Sequence, residues 1–600
     1  MKTPLSFLML GCLVWLSNGN TQIQAQSIAR ISANCSPAHA RTTIEINQIR
    51  ATYGAAATWW FDQGVNDGFE VPKGSGKKSL FAGSLWIGGF TGNVLRVAGQ
   101  TYRQASVMGV GYWPGPLYLD SANTTSSICL TYDRLWKVSA AQIRDHIALH
   151  NTPGYQMPTD IQEWPASGPV GFDPNLAPYV DVNNNGIYDP QNGDYPAIYG
   201  DEALWSVYND KGNTNGNGLS PIGIEVQEMV FGFDRSGPLS TALFHQYKII
   251  NRGTIRLDST FAGMFVDPDL GNALDDFVGC DVSRSMGYVY NSDDDDEGPN
   301  GYGSTPPALG VVMFEGFYSD FNDGIDNNLN GSIDELVPDC SGTPRTERYK
   351  MWNFTTFVND ASPVGNPTSG IHAYNFLQGR WKDNAPISFG GIGYAGMNPT
   401  NRTRYMYPGA SDPVGYGLGG TLQNPVSSPF NWSEFNTNGM NASNPLGDRR
   451  FVMSSGPVSM LPGAVNYMTV GLVWSRASSG DQFASVQTLN TAVDQIQALF
   501  DNCTFYTLNA LSIFERGATS RLSIYPNPAK DVVYLKGEMA GATEAVVSIY
   551  SLNGQLIAKS TQSTANQSEI AIDIQGLTAG MYLVQAQAGS QTLMGKLLVR

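Results

Sequence analysis

Two neighbouring stretches, GIEVQEMVFGFDR (residues 223–235) and STALFHQYKIINR (residues 240–252), carry the pattern that decides the fold. Apolar and polar residues alternate along both, as expected for strands with one buried face. STFAGMFVDPDL (residues 259–270) continues the same alternation. The central part of the chain is therefore predicted to consist of antiparallel β-strands.

Helical patterns are few. SAAQIRDHIALH (residues 139–150) places Ser139 as an N-cap before apolar residues at helical spacing, and FASVQTLNTAVDQIQALFDN (residues 483–502) predicts a second helix. The chain shows no fixed-period repeat, which argues against solenoids and propellers. Because 600 residues exceed what one core supports, we predict a mainly β, multi-domain β-sandwich body with a few helices, and a sub-boundary near 200–220.

The composition is acidic and poor in charge. Lys and Arg number 35 against 52 Asp and Glu, which gives a net charge of −17 and argues against nucleic acid or anionic membranes as partners. Charged residues make up only 14% of the chain, so Asn, Ser, Thr, Gln and Gly must supply most of the polar surface. That mixture is typical of exported β-rich proteins.

The N-terminus has the form of a secretory signal peptide. A lysine precedes an apolar run from Leu5 to Leu16, and polar residues then lead to the small residue Ala25. Residues 1–25 are therefore predicted to be removed on export. No later stretch has about 18 uninterrupted apolar residues, so no transmembrane segment is predicted.

Five cysteines remain after removal of the signal peptide, and they are far apart in the sequence. They allow at most two disulfides and one leftover thiol, and no CxxC pair suggests a thiolate metal site. The pairing stays open among Cys35, Cys129, Cys280, Cys340 and Cys503.

A change of composition near 510–520 separates the body, residues 26–515, from a C-terminal domain, residues 520–600. EAVVSIYSLNGQLIAKS (residues 544–560) alternates on both sides of Asn553–Gly554, a strong hairpin signal. About seven short strands fit these residues, which predicts a small Ig-like β-sandwich.

The C-terminal domain also carries an ordered set of motifs. Tyr525-Pro526-Asn527-Pro528 stands at its start, Gly580-Met581-Tyr582 lies within it, and Lys596-Leu597-Leu598-Val599 closes it. This set resembles the type A C-terminal sorting domain of type IX secretion cargo. The resemblance implies recognition of residues 520–600 by the type IX machinery, normally followed by cleavage of the domain. It also implies release of the protein or attachment to the outer surface of the outer membrane.

The body resembles a group of exported proteins of unknown activity that carry the same sorting domain. The resemblance rests on the order of several short segments and brings no biochemical role with it. These segments include FAGSLWIGG (81–89), YWPGP (112–116), DPNLAPY (173–179) and DDFVGCD (275–281).

Two loops repeat one nine-residue pattern, DVNNNGIYD (residues 181–189) and DNNLNGSID (residues 326–334). Oxygen-bearing side chains at positions 1, 3 and 5 converge where the chain turns at the glycine of position 6, as in an EF-hand calcium loop. Position 7 would add a backbone carbonyl. The predicted calcium ligands are Asp181, Asn183, Asn185, Ile187, Asp189 and Asp194 in the first loop, and Asp323, Asp326, Asn328, Asn330, Ser332, Asp334 and Glu335 in the second.

Both loops depart from the EF-hand. Position 12 is Asn192 or Val337 instead of glutamate, so Asp194, Asp323 and Glu335 are included as substitute carboxylates. With few carboxylates, an affinity of about 10⁻⁴ to 10⁻³ M is expected, which suits extracellular calcium and a structural role. The alternative is that Asn, Asp and Gly simply form turns, but two copies of one pattern favour calcium.

Other candidates for function are weaker. Asp267, Asp269, Asp275, Asp276 and Asp281 form a third acidic region without template spacing. His146 and His150 stand four apart on the first predicted helix but lack the glutamate of HExxH, which favours a surface helix face. The tryptophans that could form sugar-stacking platforms are more simply assigned to the core; they are Trp59, Trp60, Trp86, Trp113 and Trp164.

The sequence contains no GxSxG elbow, Walker loop or Rossmann glycine set. We therefore expect a calcium-stabilised, non-catalytic protein in adhesion, surface or matrix roles, with glycans or surface molecules as partners. The alternative is a secreted polysaccharide hydrolase or carbohydrate-binding protein, because catalytic carboxylate pairs leave no local signature.

Overall fold

The computed structural model describes residues 33–61, 68–104, 107–508, 522–536, 544–551, 556–563, 569–578, 580–588 and 591–600. The predicted signal peptide, residues 1–25, lies outside the described residues. So do the composition change at 510–520 and the turn at Asn553–Gly554. The division of the chain into a body and a C-terminal domain, with a sub-boundary near 200–220, stays a prediction.

Short and long strands dominate the described residues up to 508. They are β1 Arg41–Ile44, β2 Arg50–Gly54, β3 Thr58–Trp59, β4 Phe69–Glu70, β5 Lys78–Leu80, β6 Ala82–Thr91, β7 Val94–Ala98, β8 Trp113–Pro114, β9 Trp136–Ser139, β10 Tyr179–Val180, β11 Tyr195–Pro196, β12 Glu202–Asn209, β13 Ile224–Gly232, β14 Ala242–Asn251, β15 Leu257–Asp267, β16 Asp276–Asp281, β17 Met286–Asn291, β18 Asp295–Asp296, β19 Gly303–Ser304, β20 Ala308–Glu315, β21 Leu336–Pro338, β22 Pro344–Thr346, β23 Asn353–Val358, β24 Arg449–Met460 and β25 Val465–Ser475.

Most of these strands belong to two large antiparallel sheets. Sheet 1 runs in the order β23-β24-β15-β6-β3-β2-β4-β5, with β1 beside β2 and β7 beside β6. Sheet 2 runs in the order β16-β17-β20-β25-β14-β13-β12-β8, with β9 also paired to β12. The ladders β10-β11, β18-β19 and β21-β22 stand apart. The predicted mainly β fold is confirmed.

Helices are few, as predicted. They are α1 Ser126–Thr131, α2 Ala140–Leu149, α3 Thr159–Gln162, α4 Gly370–Leu377 and α5 Gln482–Asp501. The two predicted helices are confirmed as α2 and α5, and Ser139 caps α2 in a capping box with Gln142. Among the described helices, none has both the length and the apolar character needed to cross a membrane.

The stretches that indicated the fold form adjacent strands. β13 and β14 pair in register from Ile224 opposite Asn251 to Gly232 opposite Leu243. Leu243 and Tyr247 pack into the core between the sheets, whereas Phe244 packs on the other face of sheet 2. The alternation therefore separates two buried faces along much of β14.

The two sheets face each other across an aromatic core. The ring of His245 on β14 lies 4.9 Å from that of Trp59 on β3 and 5.2 Å from that of Tyr53 on β2. On the outer face of sheet 2, α5 packs through Phe500, whose ring stacks on Phe314 at 4.8 Å. The tryptophans assigned to the core are all buried, namely Trp59, Trp60, Trp86, Trp113 and Trp164.

The C-terminal strands form two further sheets. They are β26 Ser523–Tyr525, β27 Val532–Lys536, β28 Glu544–Ser551, β29 Leu556–Ser563, β30 Ile570–Asp573, β31 Gly580–Ala588 and β32 Gln591–Val599. β26-β27-β30 make one sheet and β29-β28-β31-β32 the other. Val533, Val547, Ile572 and Leu597 share one buried cluster, which fits a β-sandwich.

Two disulfides resolve the pairing that the sequence left open. Cys35 joins Cys129 on α1, and Cys340 joins Cys503 just after α5. Cys280 is the leftover thiol; it is buried on β16 and its Sγ donates to the carbonyl of Met406 at 3.3 Å. The expected limit of two disulfides and one thiol is confirmed.

Candidate metal centres

Loop 1 (residues 181–194) connects the two strands of a short antiparallel ladder. β10 and β11 close its base, with Tyr179 opposite Pro196 and Val180 opposite Tyr195. Residues 182–187 at its tip are exposed. With so little apolar material to bury, the loop depends on polar contacts for its shape.

The carboxylate of Asp181 organises the turn of loop 1. Its two oxygens accept the backbone N–H groups of Asn185 at 3.1 Å and Gly186 at 2.7 Å. Gly186 takes a φ of +77°, which a residue with a Cβ rarely adopts. The side-chain oxygens of Asn183 and Asn185 then accept the backbone N–H groups of Asn185 and Ile187.

Loop 2 (residues 323–335) repeats these contacts. Asp326 accepts the backbone N–H groups of Asn330 at 3.0 Å and Gly331 at 2.8 Å. Asn328 and Asn330 accept from the backbone of Asn330 and Ser332 at 3.0 and 2.8 Å. The sequence pattern therefore corresponds to one local structure formed twice.

A carboxylate faces the two asparagine side chains in each loop. In loop 1 it is Asp189, which accepts from Asn183 at 3.1 Å and Asn185 at 2.9 Å. In loop 2 it is Glu335, which accepts from Asn328 at 2.9 Å and Asn330 at 2.5 Å. Position 9 therefore supplies this group in loop 1, and position 10 supplies it in loop 2.

Asp334 points elsewhere because its backbone takes a φ of +58°. Its carboxylate accepts the backbone N–H of Gly324 at 3.2 Å. Asp323 accepts the backbone N–H of Ile325 and the side chain of Asn327, both at 2.9 Å. These two predicted ligands therefore contact other parts of the loop, whereas the side chains of Asn328 and Asn330 donate to Glu335.

The electrostatics of the facing carboxylates follow from these contacts. Hydrogen bonds from Asn192, then from Asn185, lower the pKa of Asp189. Burial raises the pKa of Glu335, but the donors Asn328 and Asn330 bring it below its usual range. Both side chains are thus held as anions, and their oxygens keep lone pairs that a hard cation can use.

Two buried carboxylates lie behind the loops. Asp194 is fully buried and accepts the backbone N–H groups of Val182 at 2.8 Å and Asp189 at 2.9 Å. Glu347 is 1% exposed and accepts those of Asn327 at 3.0 Å and Asp334 at 3.2 Å. Asp194 was among the predicted ligands, whereas Glu347 was missed because nothing in the local pattern marks it.

His146 packs against the end of loop 1. It is fully buried, and its Nε2 lies 3.0 Å from the backbone carbonyl of Asp194. The expected surface face is wrong for His146, because α2 packs this side chain onto the returning end of the loop. His150 lies closer to solvent, with its Nδ1 near the carbonyl of His146.

A third acidic site gathers residues from distant parts of the chain. Carboxylate oxygens of Asp267, Asp269 and Asp448 lie within 4.8 Å of one another, an arrangement that could hold a metal ion. Asp267 ends β15, Asp269 follows it, and Asp448 precedes β24. Because β15 and β24 pair antiparallel, their adjoining ends meet here.

Arg450 already supplies positive charge to this cluster. Its Nε lies 3.2 Å from Asp267 and its Nη1 lies 2.5 Å from Asp448. The hydroxyl of Tyr102 donates to Asp267 at 2.6 Å. Burial, then repulsion from Asp448, raises the pKa of Asp269 to about 7. Arg450 and the nearby Lys78 therefore supply two positive charges to three carboxylates, and a proton or a cation can supply the third.

Aromatic rings border this acidic cluster. The ring of Tyr102 lies 5.6 Å from that of Phe61 and 6.2 Å from that of Phe81. Phe81 is 40% exposed, so the aromatic group reaches the surface. Exposed rings beside charged groups are typical of sites that bind amphipathic ligands.

The other acidic residues of the third region have hydrogen-bond or ion-pair partners of their own. Asp276 accepts the backbone N–H of Leu270 at 3.0 Å, and Asp275 accepts from the side chain of Asn272 at 2.8 Å. Asp281 pairs with Arg284 at 2.7 Å. The sequence had grouped these acids with Asp267, but it had no signal for Asp448 or Arg450.

Comparison with known proteins identifies one end of the chain. Residues 523–600 match the family model described as a secretion system C-terminal sorting domain. A search of the curated proteins gave no significant match.

Similarity to solved structures is slight. A polysaccharide lyase shares 8% identity with a TM-score of 0.16, covering 70% of this chain and 38% of the lyase. The BSP domain of a biofilm-associated protein shares 9% identity with a TM-score of 0.13, covering 61% of each chain. The chain thus spans well under half the length of the lyase, and neither likeness carries an argument about function.

The matched family gives the export route. The residues of this chain that match the family model are those whose motifs resemble the type A sorting domain, and the match confirms that interpretation. A type IX sorting domain indicates export, followed by secretion or attachment to the outer surface, and implies interaction with the type IX machinery. Residues 523–600 are a secretion system C-terminal sorting domain, which marks the chain as a cargo protein of type IX secretion.

Proposed function

We propose that the body is a calcium-stabilised, non-catalytic protein that acts outside the cell in adhesion, surface or matrix roles. The observation that carries this proposal is the repetition of one set of side-chain-to-backbone hydrogen bonds in loops 1 and 2. Turn formation alone does not require a carboxylate that faces the asparagine side chains of positions 3 and 5, yet both loops have one, at position 9 in loop 1 and at position 10 in loop 2.

Calcium suits the donor set. The loops offer carboxylate and amide oxygens at positions 1, 3 and 5, and a further carboxylate from Asp189 or Glu335. Hard oxygens in a flexible loop favour calcium over zinc or copper, which prefer nitrogen and sulfur. The few carboxylates of each loop, one at position 1 and one facing the asparagines, predict weak binding, in the range of about 10⁻⁴ to 10⁻³ M that suits an extracellular protein.

The ion would stabilise segments that lack a core of their own. Residues 182–187 of loop 1 are exposed, and Ile187 in loop 1 and Ile333 in loop 2 are 65% and 60% exposed. Cation binding would link the oxygens of each turn and stabilise the folded state by mass action.

The proposal is tested by thermal unfolding of the secreted chain with calcium and with EDTA. At a calcium concentration of about a hundred times Kd, each site adds about 2.7 kcal/mol to the free energy of unfolding. The paired variant Asp181→Asn with Asp326→Asn should melt alike in both conditions. If calcium does not change the melting temperature of the wild type, both loops are simple turns that bind no calcium.

The partners we propose are glycans or other molecules of the cell surface. A low charge content and many exposed Asn, Ser and Thr side chains suit contacts with neutral polar surfaces. We further propose that residues 1–25 are a signal peptide, that residues 26–515 form the body, and that residues 520–600 are Ig-like.

A second candidate function rests on the acidic cluster. Asp269, with a pKa of about 7, and Asp448 offer carboxylate oxygens within 4.8 Å of each other, near an aromatic group of which Phe81 is exposed. Retaining glycosidases use two carboxyl groups about 5–5.5 Å apart, one protonated as the acid and one ionised as the nucleophile. Asp269 would be the acid, and Asp448 the nucleophile.

Activity screening on polysaccharides separates the two candidates. Hydrolysis that is lost in Asp269→Asn and in Asp448→Asn, but kept in the exposed control Asp120→Asn, would favour the hydrolase. Binding to glycans without turnover would favour a carbohydrate-binding role. Absence of both, together with a calcium-dependent melt, would leave the structural role.

A further inference from the structure

Loops 1 and 2 share a feature outside their nine-residue pattern. Counting Asp181 and Asp326 as position 1, a buried carboxylate accepts the backbone N–H groups of positions 2 and 9 in both loops. Asp194 bonds Val182 and Asp189 at 2.8 and 2.9 Å. Glu347 is the corresponding residue of loop 2.

Glu347 spans its loop in the same way. Its Oε2 accepts from Asn327 at 3.0 Å and from Asn328 at 3.1 Å, and its Oε1 accepts from Asp334 at 3.2 Å. The two carboxylates differ in length and in their distance along the chain from position 9. The shared contacts are therefore not a by-product of a shared local sequence.

Each carboxylate lies directly next to a short strand. Asp194 directly precedes β11, which pairs with β10. Glu347 directly follows β22, and its carbonyl accepts the backbone N–H of Ser319 at 2.9 Å. Each carboxylate thus joins the start and the end of its loop to a fixed part of the body.

Asp194 and Glu347 are more deeply buried than the facing carboxylates, although the carboxyl group of Asp194 also interacts with that of Asp189. Both oxygens of Asp194 and both of Glu347 point at backbone N–H groups, and the two residues are 0% and 1% exposed. Asp189 and Glu335 instead face the asparagine side chains near solvent. A cation at the turn would thus contact the second pair, while the first pair holds the backbone.

We propose that Asp194 and Glu347 are positioning residues that preorganise the two cation loops, and that neither is a ligand of the ion. This inference rests on the proposed calcium function. It replaces the predicted ligand role of Asp194 and gives loop 2 an equivalent residue. Removing such outer contacts typically costs about 10- to 100-fold in metal affinity while the ligands remain.

Calorimetric titration of the secreted chain with calcium provides the test. Asp194→Asn and Glu347→Gln should each keep two binding events but weaken one of them by about 10-fold or more. Asp181→Asn and Asp326→Asn, which alter proposed ligands, should each weaken binding at their own loop while the backbone contacts of Asp194 and Glu347 remain. Glu347→Asp should recover part of the lost affinity.

Asp210 offers a matched control. It is fully buried and accepts the backbone N–H groups of Gly223 at 2.9 Å and Ile224 at 2.8 Å, away from both loops. Asp210→Asn should lower the melting temperature and leave calcium affinity unchanged. A general loss of stability is thereby distinguished from a loss of loop geometry.

Amide hydrogen exchange without calcium supplies an independent readout. The amides of Val182 and Asp189 should exchange faster in Asp194→Asn than in the wild type, and at the wild-type rate in Asp181→Asn. Wild-type affinity in both Asp194→Asn and Glu347→Gln would overturn the inference alone. A wild-type chain that takes up no calcium would instead overturn the proposed function, and the positioning role with it.

Discussion

At the scale of single residues, Asp269 has a carboxyl group whose ionisation makes the stability of the fold depend on pH. Burial and the neighbouring Asp448 raise its pKa from 3.8 to about 7. The folded chain therefore keeps a proton that the unfolded chain has already released between these values. Raising the pH through this window lowers the free energy of unfolding, and above about 7 the loss is constant.

Asp269→Asn removes this titration. In EDTA, we predict that the variant loses less stability than the wild type between pH 4 and pH 8, as measured by urea unfolding at several pH values. Asp120→Asn, an exposed control, should behave like the wild type. Equal slopes for Asp269→Asn and the wild type would show that the carboxyl group ionises normally in the folded protein.

Local patterns predicted only part of the candidate sites. The turn-forming residues of loops 1 and 2 are close in sequence, so the spacing around Gly186 and Gly331 could reveal them. Glu347 and Asp448 reach their sites through strand pairing, which the sequence does not specify locally. Asp334 was predicted as a position-9 ligand; its backbone takes a positive φ, and the asparagine side chains of loop 2 donate to Glu335 instead.

At the scale of elements, the disulfide between Cys340 and Cys503 joins the turn of the β21–β22 hairpin to the end of α5. The two cysteines are 163 residues apart, so their link removes much freedom from the unfolded chain. We predict that the paired variant Cys340→Ser with Cys503→Ser lowers the free energy of unfolding by about 2–4 kcal/mol.

Denaturant unfolding under non-reducing conditions measures this effect. Cys280→Ser is the matched control, because that buried thiol belongs to neither disulfide. Its substitution changes a core contact without opening a cross-link. An unchanged free energy of unfolding in the paired variant would mean that the hairpin contributes little to the stability of the body.

Elements were predicted where one physical pattern dominated. Alternation identified β13 and β14, and the N-cap signal of Ser139 identified α2. The burial of His146 was missed, because the pattern of α2 alone does not reveal that loop 1 covers one side of the helix. The spacing of apolar residues along a helix does not reveal contacts that a neighbouring loop makes.

At the scale of the whole molecule, most strands of the described residues up to 508 belong to two antiparallel sheets, and residues 523–600 match a sorting domain. The face-to-face packing of sheets 1 and 2 follows from strands that alternate but are buried on both sides. Strand order could not be predicted, because antiparallel pairs such as β15 with β6 and β24 join distant parts of the chain.

The sorting domain predicts a simple export phenotype. Deletion of residues 520–600 should leave the body in the periplasm, because the domain that the type IX machinery recognises is then missing. Fractionation with an antibody against the body measures this, with the full-length chain as control. Normal appearance of the shortened chain outside the cell would contradict the assigned route.

The central claim is that loops 1 and 2 bind calcium. The most direct measurement is the number of calcium ions per chain, determined by mass spectrometry after dialysis at about ten times the measured Kd. If both loops bind calcium, the wild type carries two more ions than the paired variant Asp181→Asn with Asp326→Asn. Equal calcium content in the two proteins would contradict that claim.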